Sequence, residues 1–158
     1  MTEKNDTKQL IDRLEATRNL SRDEWIRLIQ NRTADDADYL FERAQAVRTR
    51  HYGRSVYIRG LIEFTNYCKN DCFYCGIRKS NRNANRYRLT KEQILSCCEM
   101  GYALGFRTFV LQGGEDGSFT DDRLTDIISS IRTRWRACAI TLSVGERSYE
   151  SYKRLYDA

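Results

Sequence analysis

Past Tyr52 the apolar residues change from helical spacing to short β-rich runs, each followed by a helical segment, and this alternation constrains the fold more than any other feature. Val56 to Phe64 is rich in β-formers, and Thr90-x-x-Gln93 then has the form that opens a helix, here running to about Leu104. Thr108 to Gln112 is a second short strand that ends in Gly113 and Gly114. A helix follows from Thr120 or Asp121 through Trp135, with Leu124, Ile127, Ile128 and Ile131 at helical spacing. Ala137 to Val144 reads as a third strand, and Ser148 to Tyr156 begins another helix. Strands alternating with helices imply an α/β fold with a parallel sheet or a β/α barrel, in which ligands sit at the carboxyl ends of the strands.

The first 50 residues read as helical throughout. Ser21 to Glu24 has the S-x-x-E form of a capping box, with Trp25, Leu28 and Ile29 on one face. Thr33 or Asp35 caps the next helix, whose apolar stripe is Tyr39, Leu40, Ala44 and Val47. These helices are expected to pack rather than to form a site. The expected organisation is a helical extension over 1–52 and a β/α portion over 53–158. Three parallel strands leave an unpaired edge, and the last helix lacks a stop signal before Ala158. The chain is therefore expected to be a fragment of a larger protein.

Charge and hydropathy exclude several classes. Twenty-seven basic and 22 acidic residues give a net charge of +5, spread as mixed sign with no long basic block, so nucleic acid is not expected as a partner. No apolar run is long enough to span a bilayer, and the N-terminus MTEKNDTKQL has no cleavage-site pattern. A soluble cytoplasmic protein is expected, and six cysteines in that compartment point to metal binding or burial rather than disulfides.

Three of them, Cys68, Cys72 and Cys75, lie in "NYCKNDCFYCGIR", spaced C-x3-C-x2-C in a polar loop directly after the first strand. A structural zinc site takes four protein ligands, whereas three leave a coordination position open for a substrate or cofactor. Thiolates suit zinc and iron-sulfur clusters alike. Strand parity puts Gln112, Thr141 and Ser143 on the face opposite the apolar sets, where they would line a polar cavity or form an internal polar network. Cys97, Cys98 and Cys138 read as packing residues, and His51 as a surface or packing residue. Arg78, Lys79, Arg82, Arg86 and Arg88 form a basic stretch, either a solvated loop or a guide for an acidic partner.

The three cysteines with an aromatic residue before the last, followed after the second strand by Gly113-Gly114-Glu115, resemble the radical S-adenosylmethionine superfamily. The stretches "RGLIEFTNYCKNDCFYCGIR", "NRYRLT", "LQGGED" and "TLSVGE" resemble, within it, the group holding the FeFe-hydrogenase maturase family HydE, biotin synthase and methylornithine synthase. Gly76, where biotin synthase typically has proline, and the GGE triplet favour the maturase branch. The resemblance implies a TIM-like (β/α) barrel of which this chain holds about three β/α units. It implies a 4Fe-4S cluster on Cys68, Cys72 and Cys75, and S-adenosyl-L-methionine held by Gly113, Gly114 and Glu115 at its amino group, by Glu146 at its ribose and by Tyr74 beside its adenine; Gln112 and Ser143, placed by strand parity, are expected around the same cavity. The implied reaction is reductive cleavage of the cofactor to a 5'-deoxyadenosyl radical, in hydrogenase maturation. A flavodoxin or ferredoxin as electron donor and other maturation proteins are the implied partners. A non-enzymatic iron-sulfur or zinc module is the reading from a different class.

Overall fold

The computed structural model describes residues 3–158, which form two compact units divided between Val56 and Tyr57. The first unit consists of three helices: α1 (Glu3–Thr17), α2 (Arg22–Asn31) and α3 (Ala34–Tyr52). Ser21 and Thr33 cap α2 and α3, each in a reciprocal box with the acid three residues on, Glu24 and Asp36. Each box satisfies amides that the first helical turn leaves without partners. Leu10, Ile11, Leu20 and Leu28 form the core of this unit, with Leu14, Tyr39 and Leu40 packed on it. The expected stripe of α2 is narrower than its spacing suggested, because Ile29 is exposed and only Leu28 is buried.

The second unit has the alternating order β1 (Gly60–Thr65), α4 (Lys91–Ala103), β2 (Thr108–Gly113), α5 (Asp121–Arg134), β3 (Ala139–Ser143) and α6 (Tyr149–Asp157). The three strands form one parallel sheet in the order β1-β2-β3. β1 begins later than the β-rich run suggested: Val56, Tyr57 and Ile58 lie outside the strand and are exposed, the pairing with β2 starting at Gly60 opposite Phe109. Thr90, Thr120 and Ser148 cap the three helices through their hydroxyls.

One face of the sheet carries the core. Ile62 and Phe64 from β1, and Phe109 and Leu111 from β2, pack with Ile94, Leu95 and Cys98 of α4 and with Leu124, Ile127, Ile128 and Ile131 of α5. Ile140 and Leu142 of β3 rest on the same cluster, as parity requires. The other face is open. Glu63, Gln112 and Ser143 stand in one register row across it, and all three are exposed. A register shift between Glu63 and Thr65 lets consecutive residues Phe64 and Thr65 both be buried, which plain alternation would forbid. Cys98 is fully buried and Cys138 nearly so, as packing residues. Burial, with Cys97 and Cys138 beside it, pushes the Cys98 thiol up to about 12, so it is inert. His51 is exposed. Among the described residues, no helix is long and apolar enough to cross a membrane.

Candidate functional site

Leaving β1 at Thr65, the chain makes a loop of about 25 residues before α4, and its geometry is set by internal donors rather than by regular structure. Asn66 stands at the neck of this loop. Its amide nitrogen donates to Asn85 O at 2.7 Å, and its oxygen accepts from Tyr87 N at 2.8 Å. Arg86 is the hub of the interior: its guanidinium donates to the carbonyl of Asn66, to Ile77 O at 2.9 Å, to Arg78 O at 2.7 Å and to Asn81 O at 3.1 Å. Five donors in a rigid fork make arginine suited to gathering carbonyls that no strand or helix satisfies. The basic stretch is therefore not a uniformly solvated patch. Arg86 supports the loop from within, and Arg88 is committed to an ion pair described below.

The cysteines lie along the outer part of this loop. Cys68 and Cys75 are half-buried and Cys72 is exposed; all three are free thiols. Cys75 N donates to Cys72 O at 2.9 Å and Arg78 N to Cys75 O at 3.2 Å, so two successive tight turns present the second and third thiols. Among the described residues no group of three or more His, Cys, Asp or Glu is gathered closely enough to hold a single metal ion. Tyr74 is 94% exposed, out at the loop tip, and takes no part in the cavity described below.

The second loop, after β2, is pressed against the start of the first. A β-carbon on Gly113 would meet Thr65 Cγ2 at 2.6 Å, and one on Gly114 would meet Tyr67 O at 2.2 Å and Cys68 Cβ at 2.8 Å. Gly114 is thus required by contact with the cysteine loop itself, through backbone that cannot yield. Lys69 N donates to Glu115 O at 3.0 Å, and Gly114 N to Thr65 O at 3.3 Å. The Glu115 carboxylate turns to the same loop, with Lys69 Nζ at 3.0 Å and Asn70 Nδ2 at 2.7 Å. The Lys69 hydrogen bond, with Asn70 and the Glu146 backbone assisting, holds the Glu115 carboxyl below the usual glutamate range.

The third loop closes the group. Gly145, at φ +78°, lies against the Glu115 side chain, and Tyr152 of α6 donates to its carbonyl at 2.8 Å. Glu115 and Glu146 line one open cavity of about 260 Å³ together with Lys69, Asp121 and Arg147. Gln112 and Ser143 do not line it; they sit on the open face, adjacent across the sheet, instead of in an enclosed polar cavity. The carboxyl ends of all three strands therefore converge on one region, with the cysteine loop, the glycine pair and Glu146 at its rim.

Sequence reasoning passed over Asp116. Its side chain is 3% exposed and accepts from Arg88 Nε at 2.6 Å and Nη2 at 3.0 Å, from Thr65 Oγ1 at 2.8 Å and from Ser118 N at 3.0 Å. Burial pushes this carboxyl up, but Arg88, the Ser118 amide and the Thr65 hydroxyl outweigh it and hold it at about 2. The available signal was an acid immediately after GGE with an arginine just before a capped helix, both beside strand ends.

No protein-family model matches the chain. In sequence and fold it is nonetheless related to the radical S-adenosylmethionine superfamily. More narrowly, it is 40% identical over 119 residues to the [FeFe] hydrogenase maturase subunit HydE of Thermotoga maritima, an alignment covering 75% of this chain and 34% of that protein. It is 30% identical over 115 residues to 3-methylornithine synthase of Methanosarcina acetivorans, covering 72% of this chain and 33% of the synthase. Among solved structures, HydG, a maturase of the [FeFe]-hydrogenase, superposes with a TM-score of 0.83 over 99% of this chain and 36% of its own; at 24% identity that likeness is one of fold. The chain spans about a third of the length of the curated relatives it matches.

Proposed function

We propose that this chain is the first part of a radical S-adenosylmethionine enzyme, its sheet the opening strands of a TIM-like barrel, and that its role lies in FeFe-hydrogenase maturation. The observation that carries the reading is the junction of the two loops. The Glu115 carboxylate is fixed at 3.0 Å and 2.7 Å from Lys69 and Asn70, the two residues that follow Cys68, so the acid after β2 is tied to the start of the cysteine loop. A 4Fe-4S cluster fits this donor set. The fit is one of donor chemistry: Cys68, Cys72 and Cys75 are free thiols in one polar loop, and three thiolates bind a cubane cluster with one iron left open. When bound, cluster and cofactor supply one-electron reductive cleavage of the sulfonium to a 5'-deoxyadenosyl radical.

The chain's own residues bind and orient. Cys68, Cys72 and Cys75 hold the cluster. Glu115, kept ionised by its neighbours, takes the cofactor's ammonium with the Gly113 and Gly114 backbone beside it. Glu146, on the same cavity, takes the ribose hydroxyls, and Gln112 and Ser143 face the barrel interior just below. Tyr74 reaches the adenine only if the loop tip folds inward from its exposed position. A flavodoxin or ferredoxin is the electron donor in this reading, and other maturation proteins are its further partners.

The test is anaerobic reconstitution with iron and sulfide, followed by electron paramagnetic resonance of the reduced protein with and without S-adenosylmethionine. A cubane signal that changes on adding the cofactor supports the reading. A bound metal whose signal ignores the cofactor would make the chain a non-enzymatic metal module.

A further inference from the structure

We infer that Asp116 and Arg88 are positioning residues that set Cys68 against the GGE loop. The inference rests on the cluster reading in one respect: Cys68 matters because it is a proposed ligand. Thr65, at the end of β1, is 2% exposed, and its hydroxyl donates to Asp116 Oδ2 at 2.8 Å while accepting from Tyr67 N at 3.2 Å. Asp116 thereby acts through one hydroxyl on the residue before Cys68. Arg88 acts on the same residue through its ring. Its guanidinium, held by both oxygens of Asp116, stacks 3.7 Å above the Tyr67 ring.

The backbone on either side is tied as well. Arg88 bridges Thr65 in an antiparallel pair, and Leu89 N donates to Phe64 O at 2.8 Å, so the returning end of the cysteine loop is fastened to β1. Asp116 itself follows the GGE triplet directly, and its amide donates to Gly114 O at 2.9 Å. One buried carboxylate thus fixes the exit of β1, the return of the cysteine loop and the turn after β2 to one another. The tip of the loop, with Cys72, lies outside this arrangement, and is closed instead by Ser80 N donating to Asp71 Oδ1 and Lys79 N to Asn70 O, each at 2.9 Å. Removing the pair should free Cys68 selectively while the helical face of the sheet stays packed.

The chain supplies its own reporters, because Cys72 is exposed, Cys68 is half-buried and Cys98 and Cys138 are buried in the core. The experiment is iodoacetamide labelling of the reduced, metal-free chain, resolved cysteine by cysteine by mass spectrometry, in wild type, Asp116→Asn, Arg88→Met and Arg88→Lys. Asp116→Asn and Arg88→Met should raise the Cys68 rate relative to Cys72 by about tenfold, with Cys98 and Cys138 still protected. Arg88→Lys keeps the charge but loses the two-point contact with Asp116 and the stacking on Tyr67, and should give an intermediate rise of about threefold. An unchanged Cys68 to Cys72 ratio overturns the inference. So does joint labelling of Cys68 and Cys98, which would mean that the pair holds the whole core. Failure of the wild-type chain to bind a cluster would overturn the proposed function and leave the thiol result standing.

Discussion

A β-carbon added to Gly145 would lie 1.9 Å from Cγ of Glu115, so the loop after β3 and the carboxylate after β2 touch with no room for a side chain between them. Gly145 also has φ at +78°, where any residue with a β-carbon is strained. Gly145→Ala should therefore cost about 1–3 kcal/mol in urea unfolding and displace Glu115 from Lys69. Unchanged stability would show that the loop can relax away from Glu115.

The buried Asp116 makes a prediction about pH. Its folded-state value of about 2 lies below the ordinary 3.8, so its contribution is present above the ordinary value and is lost as pH falls from about 4 through 2. The shift corresponds to roughly 2 kcal/mol. Comparing wild type with Asp116→Asn by thermal unfolding between about pH 2 and 6, the gap should narrow steadily as acid is added. A gap independent of pH would mean that the carboxylate is not held ionised by Arg88.

Arg86 is expected to be the support of the cysteine loop. Arg86→Met strips donors from four carbonyls, a loss of about 1–3 kcal/mol moderated by water reaching the loop. Amide exchange should speed up across residues 66–88 and remain slow in β2. Equal protection in both proteins would return Arg86 to the solvated patch that the sequence suggested.

Iron binding should separate the cysteines into two sets. After anaerobic reconstitution, alanine at Cys68, Cys72 or Cys75 should abolish cluster formation in a folded protein, whereas Cys97, Cys98 and Cys138 should be replaceable together with iron content retained. Cys98 and Cys138 are buried in the sheet–helix core, and that change is expected to lower stability instead. Loss of iron in the folded triple variant would count against the assignment.

The sequence by itself determined the elements and their caps. Ser21, Thr90 and Ser148 start their helices as read, the structure takes Thr33 over Asp35 and Thr120 over Asp121 as caps, and Phe109, Leu111, Ile140 and Leu142 take the side of the sheet that parity assigns. Caps and alternation depend on residues within about four positions of one another, so a single chain displays them without its fold. The three thiols and the GGE triplet were legible for the same reason, as local text. Tertiary structure alone decided what joins them. Thr65 and Asp116 are 51 positions apart and Glu115 meets Asn70 across 45, contacts that exist only after β2 has returned parallel to β1. It also decided that Val56 to Ile58 stay outside the strand, that Gln112 and Ser143 face an open side, and that two arginines of an apparently solvated run are structural. A buried charge or a paired strand edge depends on which distant groups arrive beside it, and that information resides in the crossing of the chain rather than in its spacing.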